Sequence, residues 1–197
     1  MNGSEAKRRG EKNREALIQA AAELFWTSGY GTSSLADIAR AAEVPVGNVY
    51  YYFKTKADLA QAVADLFVTQ TETLVEEVRA DTADPRNRLK QLVARLRSAQ
   101  QSRVKHGCPI SAIVRDFRRT MPEPSARAAE SFTVLTGFLA AELGRTGQRP
   151  AIALARARAA VADWQGSIAL AHALNEPPIL AECFQRMERT LGVAGAA

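Results

Sequence analysis

Residues 34–56, SLADIARAAEVPVGNVYYYFKTK, hold the densest set of groups able to do chemistry in this 197-residue chain. Tyr50, Tyr51 and Tyr52 stand in a row with Lys54 and Lys56 just behind them. Phenolic hydroxyls beside ammonium groups suit contacts to the phosphates of a nucleic-acid duplex, contacts that set register along it. Gly47 lets a backbone approach closely, Asn48 can reach a base edge or a phosphate, and Val46 can meet a thymine methyl. Any one tyrosine is as readily half-buried with its hydroxyl in water. A helix cannot bury three consecutive rings, so at least one faces outward.

Cys108, in the run Gly107-Cys108-Pro109-Ile110, is the other candidate. At a helix start the backbone amides and the dipole favour a thiolate, which would suit an electrophile or oxidant sensor. A small buried residue at the junction of two helices is the alternative, and it fits the packing habits of cysteine. His106 lies only two residues away, but nothing supplies an orienting acid or an oxyanion hole. The chain has no GxGxxG, P-loop, HExxH or GxSxG, and its two histidines, His106 and His172, are far apart. Cys108 and Cys183 form no CxxC and sit near no histidine pair. An enzyme is therefore not expected, nor is a catalytic residue, a metal or a cofactor.

The elements that must position the tyrosines follow from periodicity. Ser34 can cap a helix whose apolar positions Leu35, Ile38, Ala39 and Ala42 recur at i, i+3, i+4 and i+7, with Asp37 placed to complete a capping box. Glu43-Val44-Pro45 breaks that helix, since Pro45 donates no amide hydrogen and biases Val44 away from helical dihedrals. Proline is welcome at a new helix start, so a second helix begins near Pro45 with Val49 and Phe53 inward. Gly47, Asn48, Tyr51 and Tyr52 then lie on its outward arc, flanked by Val46 and Tyr50. A preceding helix from about 13 to 28 carries Leu17, Ala21, Leu24 and Phe25 and stops at Gly29.

The run from Gly29 to Leu59, GYGTSSLADIARAAEVPVGNVYYYFKTKADL, resembles the helix-turn-helix of the TetR family of transcriptional regulators, from its glycine-tyrosine to its aromatic second helix ending in Phe-Lys-x-Lys. The resemblance implies an all-α dimeric repressor with an N-terminal domain that binds a double-stranded operator and a variable C-terminal domain that binds a small inducer. It places Asn48, Tyr50 and Tyr52 as phosphate or groove contacts, and Val46, Gly47 and Tyr51 toward the major groove. Lys56 would grip the backbone at the next helix start, and Ser34 and Lys54 complete the expected set. Pro45 and Val46 depart from the family's more usual serine and polar residue, which makes base readout from the helix start less polar. The expected division is a helix-turn-helix domain with a basic arm over 1–55 and a helical regulatory, ligand-binding and dimerisation domain over 56–197.

The net charge of +5 is not concentrated in the first domain, since residues 1–60 carry 8 Lys/Arg against 7 Asp/Glu. Local charge is more telling. Lys7, Arg8, Arg9, Lys12 and Arg14 against Glu5 and Glu11 make a basic arm, suited to phosphates or a minor groove, although a solvated tail fits equally. Two cysteines point to a reducing compartment, no run of about 18 apolar residues exists to span a membrane, and the polar start lacks a signal-peptide core, so a cytoplasmic protein is expected.

Beyond Thr55, which can cap with Asp58, an unbroken helix is predicted to Arg79, then helices from Pro85 to Gly107, Pro109 to Phe117, Pro124 to Arg145, Ala151 to Asn175 and Pro178 to Leu191, about nine in all. The last two carry Trp164, Ile168 and Ala171, and Leu180, Phe184, Met187 and Leu191. Either stripe could serve the monomer's own core. The resemblance of WQGSIALAHA to the family's dimerisation helix favours a two-fold interface, with recognition helices about one duplex turn, roughly 34 Å, apart or a little more. Phe67, Cys108, Ile113, Phe132, Phe138 and Trp164 are candidates to line an inducer pocket, and resemblance to the Gly-Cys-Pro segment of some family members that repress export or detoxification genes hints at a hydrophobic or aromatic inducer. Plain core is the other reading of each aromatic. A small-molecule-binding protein without operator binding is the remaining alternative.

Overall fold

The computed structural model describes residues 3–194, and every regular element among them is helical. These are α1 (Gly3–Thr27), α2 (Leu35–Ala41), α3 (Val46–Tyr52), α4 (Lys56–Asp81), α5 (Pro85–Ser98), α6 (Gln100–His106), α7 (Pro109–Phe117), α8 (Pro122–Arg145), α9 (Pro150–Leu174) and α10 (Pro177–Leu191). Proline opens five of them, α5 and α7 to α10, where its missing amide hydrogen costs nothing.

Two differences from the sequence reading have local causes. The single helix expected over 85–107 is two, because Ala99 (φ −91°, ψ 11°) ends α5 and begins α6. The basic arm is helical from Gly3, being built, Gly10 aside, largely of good helix formers.

The chain forms two compact units that do not follow the 1–55 and 56–197 division. The first contains residues up to Val68 together with Pro109–Ala129, and the second contains Thr69–Cys108 and the residues from Glu130 onward. Helix α4 therefore opens in one and closes in the other.

In the first unit, Leu17, Ala21 and Phe25 of α1, Ile38 and Ala39 of α2, Val49 of α3 and Leu59, Val63 and Phe67 of α4 form one core, which Ile113 and Phe117 of α7 complete. Phe25, Tyr30 and Phe117 meet edge to face, with centroids 5.0, 5.1 and 6.2 Å apart. The α1–α2 turn is held at Tyr30, whose amide donates to Asp116 Oδ2 at 3.2 Å. Arg127 also donates to Asp65 Oδ1 at 2.8 Å.

In the second unit α9 packs along α10, and both meet α6. The Arg186 guanidinium donates to both carboxylate oxygens of Asp163 at 2.9 and 3.1 Å and to Ser167 at 3.0 Å. Arg88 donates to the carbonyls of Arg79 and Thr82 at the end of α4 and pairs with the fully buried Glu142. His172 Nδ1 lies 2.9 Å from the Val104 carbonyl, tying α9 to α6.

The residues expected at the dimer interface are turned inward. Trp164, Ile168 and Ala171 of α9, and Leu180, Phe184, Met187 and Leu191 of α10, are all buried within the single chain. The stripe at this spacing builds the unit's own core, so an interface between two copies must use other residues.

Phe117 is fully buried in the core of the helix-turn-helix although it lies some sixty residues beyond it in the chain. Phe117→Ala should lower stability by about 3–5 kcal/mol, measured by urea denaturation.

Candidate nucleic-acid interface

Helix α3 spans only seven residues and its N-cap, Pro45, makes no side-chain hydrogen bond, so its position depends on what it packs against. Val49 and the C-cap Phe53 are buried, as the i, i+4 spacing requires. The turn before it is tight. Glu43 adopts φ 55°, the left-handed region that favours glycine, and the Val44 amide donates back to the Ala39 carbonyl at 3.0 Å.

Capping boxes fix the helices on either side. The Asp37 amide donates to Ser34 Oγ at 3.1 Å while the Ser34 amide donates to Asp37 Oδ2 at 3.2 Å. The Ser34 hydroxyl, and next its amide, hold the Asp37 carboxyl below its usual range. A depressed folded-state pKa means that this box supports α2 above the ordinary carboxylate pKa and fades as the pH falls through the lowered value. At α4 the Thr55 amide donates to Asp58 Oδ2 at 2.9 Å and the Asp58 amide to Thr55 Oγ1 at 3.1 Å.

This clamp leaves a continuous outward arc. Tyr51 is 79% exposed, Tyr50 53% and Val46 47%, and Gly47 and Asn48 are exposed beside them. A Cβ built on Gly47 would meet nothing within 4 Å, so the fold places no demand for glycine there. Tyr52 is half-buried, set edge-on to Tyr51 at 5.0 Å, and its hydroxyl would lie 3.6 Å from a Cβ on Gly10 of α1. Lys54 is exposed and donates to the Tyr50 carbonyl at 3.2 Å.

Ser34 and Lys56, like Lys54, already have partners within the fold. Ser34 is exposed but engaged in its capping box. Lys56 does not extend outward as a backbone grip. Its ammonium donates to the Tyr30 carbonyl and sits 4.1 Å from the Tyr30 ring centroid, and burial pushes it below the usual lysine range. The fold uses it to hold the α1–α2 turn. The sequence reading missed this, for nothing in local spacing joins residues 26 positions apart.

The inducer candidates fall into separate units. Phe67 and Ile113 belong to the core of the first. Cys108, Phe138 and Trp164 are buried in the second, Phe132 is half-buried there, and Arg79 lies over the Phe138 ring at 5.3 Å. Both cysteines are free and buried, and burial pushes the Cys183 thiol up. Within the second unit Gln91 Oε1, Ser131 Oγ and Trp164 Nε1 are buried without a hydrogen-bond partner.

Residues 17–63, the segment that builds and clamps α3, match the family model of bacterial regulatory proteins of the tetR family. Residues 85–186 match that of the transcriptional regulator LmrA/YxaF-like C-terminal domain. The chain belongs to the TetR family of transcriptional regulators. It is 25% identical over 195 residues to an HTH-type transcriptional regulator from the lacX 3' region of Lactococcus lactis subsp. lactis, covering 92% of this chain and 94% of that protein. It is 33% identical over 88 residues to the regulator TtgR of Pseudomonas putida, a match spanning 44% of this chain and 42% of TtgR. A TetR regulator from Legionella pneumophila shares the fold with a TM-score of 0.79 at 18% identity over 89% of this chain and 95% of that one. One from Agrobacterium tumefaciens gives 0.78 at 20% identity over 95% and 100%.

TetR regulators bind DNA operators, dimerise and are not enzymes. The present chain is accordingly a helix-turn-helix DNA-binding regulator. No helix among the described residues is long and apolar enough to cross a membrane.

Replacing Gly47 by alanine removes the entropic cost of glycine in a helix without a clash. Gly47→Ala should raise stability by about 1 kcal/mol in urea titrations and, if the backbone there approaches a base pair, weaken DNA binding in the same preparation. Equal DNA affinity would place the duplex away from Gly47.

Proposed function

We propose that this TetR regulator is a cytoplasmic repressor that binds a palindromic operator as a homodimer and is released by a small hydrophobic or aromatic inducer. The observation that carries the reading is the α3 arc: Val46, Gly47, Asn48, Tyr50 and Tyr51 exposed together on a helix whose opposite side is buried. Val46 and Tyr51 face base edges, Asn48 and Tyr50 take phosphates or groove atoms, and Lys54 and Tyr52 add backbone contacts at the helix end.

Helix α9 supports the dimer. Its inward side carries Trp164 and Ile168, yet its other side is apolar as well, with Leu154, Leu170 and Leu174 exposed. Along that exposed side Ala155, Ala159, Ala162, Gly166, Ala169 and Ala173 recur at alternating steps of four and three residues. Small residues at heptad spacing let two helix backbones pack closely, and a helix apolar on both sides calls for cover on both. We therefore assign the interface to this seam of α9, paired with its copy across a two-fold axis.

For the inducer, the aromatic candidates of the second unit are Phe132, which is half-buried, and the core residues Phe138 and Trp164, which a ligand would reach only by parting the helices around them. Binding to one arrangement of the second unit's helices would act on α3 through α4, which is unbroken from Lys56 to Asp81. The thiol-sensor alternative is disfavoured, because Cys108 and Cys183 are both buried.

Selection of bound duplexes from a random library by the purified protein, at a stated salt concentration, tests the reading. It should return a palindrome, and Tyr51→Ala should weaken binding to that site with unchanged helicity. Binding that is weak, salt-sensitive and blind to sequence would favour a ligand-binding protein without an operator. Ala162→Arg places a cation in the α9 seam and should yield monomers by size-exclusion chromatography with light scattering. A dimer as tight as the parent's would move the interface elsewhere.

A further inference from the structure

Helix α1 extends well beyond the core it helps to build. Its buried side chains begin at Leu17, and none of the described side chains over 5–16 is buried. At about 1.5 Å per residue, the stretch from Gly3 to Ala16 is roughly 20 Å of helix outside the core. Packing cannot be the reason for its length.

One side of this extension touches the end of α3. A Cβ on Gly10 would lie 3.6 Å from the Tyr52 hydroxyl, and the Arg14 guanidinium sits over the Phe53 ring at 5.4 Å. Lys7, Gly10 and Arg14 fall at i, i+3 and i+7, which puts them on one face of the helix. The face that carries Leu17, Ala21 and Phe25 into the core thus becomes basic where it passes α3. Arg8, Arg9 and Lys12 raise the local charge further, making five cations over 5–14 against Glu5 and Glu11. Crowded like charges repel one another and gain nothing from the core, and an anionic partner would offset both.

We propose that α1 is a second DNA-contacting element, in which Lys7 and Arg14 bind phosphates of the duplex strand beside the groove that α3 enters. This rests on the reading of α3 as the groove-binding helix. It adds backbone contacts that position the protein without reading sequence. Each protomer of a dimer contributes the pair.

The test measures operator affinity across a salt series for the full chain and for Lys7→Ala, Arg14→Gln and Lys90→Ala. Lys90 is exposed on α5 in the second unit, so its variant loses the same charge away from α1 and α3. Lys7→Ala and Arg14→Gln should each reduce the slope of log affinity against log salt by about one per protomer and leave the preferred sequence unchanged. Lys90→Ala should keep the parent slope. Circular dichroism and a thermal midpoint check that Arg14→Gln, which loses its stacking on Phe53, remains folded, while Lys7→Ala carries the test without that complication. Parent-like slopes for Lys7→Ala and Arg14→Gln on a selected palindrome overturn this proposal alone. An equal slope change in all three variants also overturns it, since that result reports diffuse charge. A parent that selects no site, or a Tyr51→Ala variant that binds as the parent does, overturns the reading of α3 and this proposal with it.

Discussion

Burial of Val49 and Phe53 is the constraint on which the rest of the interface depends. A helix as short as α3 has little stability of its own, and with no side-chain cap at Pro45 it gains none from its start. Its orientation comes from two side chains anchored in a core shared by α1, α2, α4 and α7. With those two held inward, helical geometry leaves Val46, Gly47, Asn48, Tyr50 and Tyr51 no option but to face out. Recognition chemistry here is the complement of a packing decision.

The α1–α2 turn is held from both sides of a single residue. The Tyr30 amide donates to Asp116, its carbonyl accepts from Lys56, and its ring packs edge-on between Phe25 and Phe117. Gly29, at φ 92°, provides the left-handed step that brings the chain into this position. Lys56 is thereby spent on structure, in a place where its spacing from the tyrosines argued for phosphate. Two residues of α7, far along the chain, are as much part of the DNA-binding unit as the helix-turn-helix itself, which is why the compact unit departs from a division drawn at residue 55.

Helix α9 shows how a single periodic pattern can serve two purposes. Large residues on one side close the core with α10, while alanines and a glycine on the other form a shallow seam. Periodicity finds both stripes but does not say which is inward. The larger side chains suggested an interface because they look adhesive. They are buried at home for the same reason, since each removes more apolar surface from water than an alanine does.

Much of this protein was legible in the sequence alone. The all-α class, the capping boxes at Ser34 and Thr55, the break at Pro45, the inward pair Val49 and Phe53 and the unbroken α4 are each set by neighbours within a few residues, so local rules reach them. The family likeness was legible too, because its motif is contiguous. Other features were decided only in three dimensions: the turning of Lys56 onto Tyr30, the entry of Phe117 into the first core, the inward face of α9 and the passage of a helical, basic α1 alongside Tyr52. Each joins residues distant in the chain, or chooses between two faces of one helix, and that choice is made by which partner surface the folded chain brings to it.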